Sequence, residues 1–126
     1  MDVPQDLRYT SDHEWARLED AKVRVGLTDF AQEALGDIVF VQLPSIGDKV
    51  AKGGELGEVE STKSVSQVYA PVGGTVVEVN SDLTEQPERI NTDAYGEGWL
   101  CVIDPSAPDE FGELLDAAGY VALTES

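Results

Sequence analysis

Of the four lysines in a chain of 126 residues with 25 acids, Lys63 stands apart in its surroundings. It lies in Glu60-Ser61-Thr62-Lys63-Ser64, between two short alternating apolar runs, so the spacing predicts a hairpin tip from which the amine projects. Its neighbours Ser61, Thr62, Ser64 and Ser66 form a small, polar, uncharged platform. A primary amine presented in this way suits covalent modification. The residues alone fit an ordinary solvated tip lysine as well.

Other chemistries lack their residues. One histidine and one cysteine are too few for a site built from soft metal ligands. His13 and a serine could be imagined as a hydrolytic pair, but no Gly-x-Ser-x-Gly elbow occurs. The glycines form neither Gly-x-Gly-x-x-Gly nor a phosphate loop, and read as turn glycines. Asp12-His13-Glu14-Trp15 is a polar and aromatic cluster at the start of a strand; it fits a capped strand delivering Trp15 to the core and a ligand contact equally. Tyr95-Gly96-Glu97-Gly98-Trp99 reads as a tight turn that brings Trp99 inward, with Tyr95 fitting either that turn or a surface that touches a partner. No catalytic or metal site is expected.

The elements that must position the lysine are mostly strands. Residues 14–19 and the alternating Val23, Val25 and Leu27 predict an N-terminal hairpin turning at Asp20-Ala21. Thr28 caps a short helix near 28–35, with Phe30, Ala31, Ala34 and Leu35 on one face and Gly36 as its stop. The apolar run 38–43 predicts a strand covered on both faces. Glycine turns then precede short strands at 49–50, 55–60 and 75–80, the rhythm of a sandwich. The segments 46–50 and 72–76 echo each other and flank Lys63, placing its hairpin at one end of a compact body. Ser106, Pro108 and the acids 109 and 110, followed by Phe111, Leu114, Leu115 and Ala118 at helical spacing, predict a helix near 107–118 that Gly119 stops. Residues 120–126 then read as a weakly specified tail.

The length fits one domain spanning 1–126. A net charge of −17 repels phosphate backbones and anionic lipid, so nucleic acid and membrane surfaces are poor partners and basic protein surfaces better ones. The start of the chain has neither a basic leader nor an apolar stretch, which points to a cytoplasmic location. Cys101, in the apolar run 99–103, reads as a small core residue.

The lysine segment, continued by Val68-Tyr69-Ala70-Pro71 and Gly74-Thr75-Val76-Val77-Glu78-Val79-Asn80, resembles the lipoyl-attachment region of the H proteins of the glycine cleavage system. His13-Glu14-Trp15, the stretch 26–44 and the stretch 90–100 resemble further signatures of that family, so the likeness runs from about Leu7 to Tyr120. Ala94 stands where the family usually has proline, and Arg89 where leucine is common.

This resemblance implies a mainly β fold of the lipoyl and biotinyl type, a flattened sandwich or barrel-sandwich hybrid, with the N-terminal hairpin and the two helices added. It implies a lipoyl-bearing carrier, not an enzyme, with lipoic acid in amide linkage to Lys63 and recognition of the attachment site through Glu60, Ser61, Thr62 and Ser64. The implied partners are glycine decarboxylase, a folate-dependent aminomethyltransferase, dihydrolipoyl dehydrogenase and a lipoylating enzyme. The carrier would take an aminomethyl group from the first to the second, then electrons to the third. Asp12, His13, Glu14 and Gln67 are the residues it implies for the cleft in which the loaded arm docks. Alternatives are a lipoyl relay in lipoate metabolism, a lipoyl domain of a 2-oxoacid dehydrogenase, and a biotinyl domain. The last typically has methionines beside its lysine, where Thr62 and Ser64 stand here.

Overall fold

The computed structural model describes residues 2–125. Its strands are β1 (Arg8–Tyr9), β2 (Glu14–Glu19), β3 (Lys22–Leu27), β4 (Ile38–Gln42), β5 (Lys49–Val50), β6 (Glu55–Ser61), β7 (Val65–Tyr69), β8 (Gly74–Val79) and β9 (Cys101–Pro105). They form a six-stranded sheet, in the order β1-β2-β3-β9-β8-β5, and a three-stranded sheet, in the order β4-β6-β7. The helices are α1 (Asp29–Leu35), α2 (Arg89–Thr92), α3 (Asp109–Gly112) and α4 (Ala117–Glu125), with a 3-10 turn at Ser81–Thr84. This is the mainly β, sandwich-like fold expected, with its N-terminal hairpin and its helix after Thr28. No described helix is long and apolar enough to cross a membrane.

Local chemistry explains these elements. The two-residue loop Asp20-Ala21 closes β2 on β3 with φ of 50° and 67°, the left-handed pair whose twist matches a hairpin. Thr28 has extended backbone, and its hydroxyl accepts from the Ala31 amide at 3.1 Å, capping α1. The two echoing segments meet, since β5 pairs β8 through Lys49 with Thr75 and Val50 with Gly74. Alternate residues of β3, β6, β8 and β9 fill the space between the sheets: Val23, Val25, Val59, Val76, Cys101 and Ile103 are fully buried. Burial pushes the Cys101 thiol up to about 12, in keeping with a core residue. A second cluster holds Leu7, Tyr9, Trp15 and Tyr120. There the rings of Tyr9 and Tyr120 stack at 4.7 Å, and the Trp15 indole donates to the Ala94 carbonyl at 2.9 Å.

Two expectations need correction. The run 38–43 is not covered on both faces: Ile38 and Val41 are buried, but Val39 and Phe40 are 53% and 48% exposed. β4 is an edge strand with a bulge between Ile38 and Phe40, which turns two consecutive apolar side chains outward. The C-terminal helix is also displaced from 107–118. Only one turn forms at Asp109–Gly112, without a side-chain cap from Ser106. The chain then straightens because Leu115 pairs with Tyr9, exchanging backbone hydrogen bonds of 2.8 and 2.9 Å. The longer helix starts at Ala117, where the Asp116 carboxylate accepts from the Gly119 amide at 2.8 Å. Gly119 therefore lies inside a helix, and the fully buried Tyr120 anchors the supposed tail.

Candidate functional site

β6 and β7 pair in register up to Glu60 opposite Val65, and the chain reverses through Ser61, Thr62, Lys63 and Ser64. Ser61 is 9% exposed and rivets the turn. Its amide donates to the Ser64 carbonyl at 2.8 Å, and its hydroxyl accepts from the amides of Lys63 and Ser64 at 3.3 and 3.1 Å. Thr62, Lys63 and Ser64 are exposed. Among the described residues, Lys63 takes part in no ion pair. The amine is thus presented on a fixed backbone with no ion pair to a described residue.

The base of the tip rests on the corner between α1 and β4, where the Thr62 amide donates to the Asp37 carbonyl at 3.2 Å. Gly36 ends α1 with φ of 82°, a conformation that costs other residues strain. The Lys63 stem passes over it: a Cβ built on Gly36 would stand 3.6 Å from Lys63 Cε. Asn91, at the end of α2, secures this corner. Its amide nitrogen donates to the Gln32 side chain and the Gly36 carbonyl, and its oxygen accepts from the Ile38 amide, each at 2.9 Å. Asn91 is a positioning residue that the sequence reading did not single out. An amide that joins a helix end to a strand start shows no local pattern.

On another part of the surface, a cavity of about 300 Å³ is lined by Thr10, Asp12, Glu14, Lys52 and Tyr69, among others. Glu14 is only 1% exposed, yet among the described residues it forms no ion pair. One of its oxygens accepts from the Thr10 hydroxyl at 2.6 Å and the other from the Tyr69 amide at 3.0 Å. Burial raises its pKa to about 7; the bonds from Thr10 and Tyr69 oppose that rise, and nearby Asp12 adds to it. Near neutrality the group is divided between acid and carboxylate. An entering cation would draw it to the charged form, through a charge-assisted hydrogen bond. Across the cavity Lys52 is already paired with Glu113 at 3.0 Å.

The four residues implied for an arm-docking cleft do not all meet. Asp12 and Glu14 line this cavity together. His13, with φ of 70°, turns the other way: its ring stacks on Phe30 at 4.6 Å, and its Nδ1 shares a 2.8 Å hydrogen bond with the Tyr120 hydroxyl. Burial lowers its pKa. Gln67 lines a separate groove of about 390 Å³ on the three-stranded sheet, donating to Glu58 at 3.0 Å. Of the four residues implied for recognition, Thr62 and Ser64 are exposed at the tip, Glu60 lies half-buried on the sheet beside it, and Ser61 faces inward.

The arrangement offers a free amine on a rigid tip and a buried acid in an open cavity, and it matches known proteins along nearly its whole length. The profile of the glycine cleavage H-protein family matches residues 7–126. The chain is 54% identical over 125 residues to the glycine cleavage system H protein of Anaeromyxobacter sp. strain K, covering 99% of this chain and 98% of that one. To the protein of the same name from Mycolicibacterium smegmatis it is 57% identical over 126 residues, covering 97% and 96%. A crystal structure of a glycine cleavage system H protein from Mycobacterium marinum superposes with a TM-score of 0.90 at 48% identity, covering 98% of this chain and all of that one. The chain belongs to the glycine cleavage H-protein family.

Proposed function

We propose that this chain is the lipoyl-bearing carrier of a glycine cleavage system, and that Lys63 carries lipoic acid in amide linkage. The observation that supports the reading best is the Lys63 amine, exposed and free of ion pairs on a tip whose backbone is tied down by Ser61 and Asp37. These residues fit the group. Forming the amide removes the ammonium charge, so the site needs no counterion, and among the described residues no acid is ion-paired to Lys63. Attachment joins Nζ to the acyl carbon of an activated lipoyl donor, whose leaving group departs while the amine gives up a proton. Once attached, the lipoyl group supplies a disulfide that takes up a one-carbon amine fragment and an electron pair.

The chain's own part is to present and to protect. A fixed tip keeps the arm's root in one place, so the arm's free end samples nearby active sites at high effective concentration. Glycine decarboxylase, the folate-dependent aminomethyltransferase and dihydrolipoyl dehydrogenase are the partners this role requires, and their chemistry needs no catalytic residue from the carrier. Glu14, buried beside Thr10 and Asp12, is the group we assign to holding the ammonium end of the cargo away from water.

Lys63→Arg tests the reading. The variant keeps the charge and the fold but offers no acylatable amine. Incubation with a lipoylating enzyme, lipoate and ATP should add one lipoyl mass to the wild type and none to the variant. Glycine-dependent release of carbon dioxide by the decarboxylase should require the modified form. Modification or activity retained by Lys63→Arg would sink the assignment.

A further inference from the structure

The outward face of the three-stranded sheet exposes large apolar side chains next to the lysine. Phe40 pairs with Glu60 and Glu60 pairs with Val65, so these three side chains form one row across β4, β6 and β7. Phe40 is 48% and Val65 57% exposed, and Val39 in the adjoining bulge is 53% exposed. The next row, Gln42, Glu58 and Gln67, is wholly polar. The face therefore carries an apolar pair on either side of one carboxylate, with a second carboxylate behind. Val65 follows Lys63 by two residues, and Glu60 precedes it by three.

We propose that the row Phe40, Glu60 and Val65 is the docking surface for the enzyme that acylates Lys63, whose matching surface is an apolar patch bordered by lysine or arginine. This rests on the carrier reading above. Reach identifies the occupant. A bare lysine amine extends only a few bonds from the backbone, so an enzyme that uses it as substrate must cover the rows beside the tip. Enzymes that meet the far end of an acylated arm need not. Charge sets the rim: Glu60 and Glu58, in a chain of net charge −17, call for cationic partners that steer the encounter. Ser61 shapes the tip from within, so the contact surface is the sheet face more than the serine.

The test uses full-length unmodified protein in five forms: wild type, Phe40→Ser, Val65→Thr, Glu60→Gln, and Leu18→Ser. The last alters an exposed leucine on β2, in the other sheet. Lipoylation by a lipoate ligase with ATP is followed by intact mass. Phe40→Ser should lower kcat/KM by about tenfold or more, as loss of an apolar anchor does, and Glu60→Gln by about threefold with a weaker dependence on salt. Val65→Thr, close in shape, should lower it several-fold, and it keeps the test decisive if thermal melting shows that Phe40→Ser has unfolded. Leu18→Ser should match wild type. Variants driven to full lipoylation with excess ligase should support decarboxylation within about twofold of wild type. Unchanged lipoylation kinetics in the folded row variants, an equal loss in Leu18→Ser, or a loss confined to the decarboxylase step would overturn the docking assignment. Failure of the wild type to accept lipoate at all would instead overturn the carrier reading.

Discussion

Lys63 and Glu14 are the two ionisable groups on which the proposed function turns, and the fold treats them in opposite ways. Lys63 is hydrogen-bonded, among the described residues, only through its backbone: Ser61 and Asp37 fix the tip, while the stem passes over Gly36 and the residue stays exposed. Glu14 is held through its side chain, each oxygen bonded and the whole residue 1% exposed. A group that must be modified by one enzyme and visited by others needs reach, so the chain spends its order on the root of the side chain. A group that must receive a charge from outside needs a poised, water-poor environment, so the order is spent at the carboxyl itself. The difference separates presentation from retention, and each can be disturbed without the other.

The sharpest separation comes from Glu14→Ala. If Glu14 retains the cargo's ammonium, losing that hydrogen bond between charged groups, on the order of 1.5–3 kcal/mol, should speed hydrolytic loss of the loaded one-carbon unit by about 10- to 100-fold. Lipoylation of Lys63 should be unaffected. In wild type the loss should quicken only as pH falls well below 7, because the paired ammonium holds the carboxyl in its charged form until it takes up a proton and the pairing is lost. The alanine variant should show no such step. Identical decay of loaded wild type and variant, measured as formaldehyde and ammonia released, would remove Glu14 from the retention role.

Glu14 also leaves a signature in stability. Burial holds its pKa at about 7, against an ordinary 4.5, so the folded chain binds this proton more tightly than the unfolded one. Its contribution is therefore full below about pH 4.5 and is lost as pH rises through 7, by on the order of 3 kcal/mol. Glu14→Gln retains a carbonyl to accept from Tyr69 and cannot ionise, so that loss should vanish. Urea unfolding of both proteins from pH 4.5 to 8 isolates the effect, since repulsion among the other acids is common to the two. Parallel curves would mean that Glu14 titrates as an ordinary surface acid.

How much of this was legible in the sequence depended on the range of the interaction. The Asp20-Ala21 turn, the Thr28 cap, the Gly36 stop and the Lys63 tip are all written within a few residues, and each is found where the local pattern puts it. The C-terminal helix was misplaced because Leu115 is drawn into pairing with Tyr9, 106 positions earlier, a contact no helical periodicity reveals. The apolar run of β4 looked like core because an uninterrupted apolar sequence reads the same whether the second face is packed or left open. In the site, Asp12 and Glu14 come together as neighbours on one strand entry. Gln67 and His13 go elsewhere, since their partners Glu58 and Tyr120 are set by sheet register and by helix packing. Asn91 has no local signature for the same reason: the partners of its side chain lie more than fifty residues away.

The smallest effect bears on presentation alone. Ser61→Ala removes the hydroxyl that accepts from the Lys63 and Ser64 amides and keeps the small buried volume. Both amides sit at an exposed tip, where water replaces the lost acceptor, so the penalty should resemble that of a lost serine cap, about 1 kcal/mol. The tip would still form, because the Ser61 amide keeps its bond to the Ser64 carbonyl and Thr62 keeps its bond to Asp37. It would hold the lysine less firmly, so lipoylation should slow by a few-fold while the loaded unit decays at the wild-type rate. A small loss of stability with unaltered lipoylation kinetics would show that the tip needs only its backbone ties. A change in cargo decay would show that the tip and the Glu14 cavity are coupled, against the separation drawn between them.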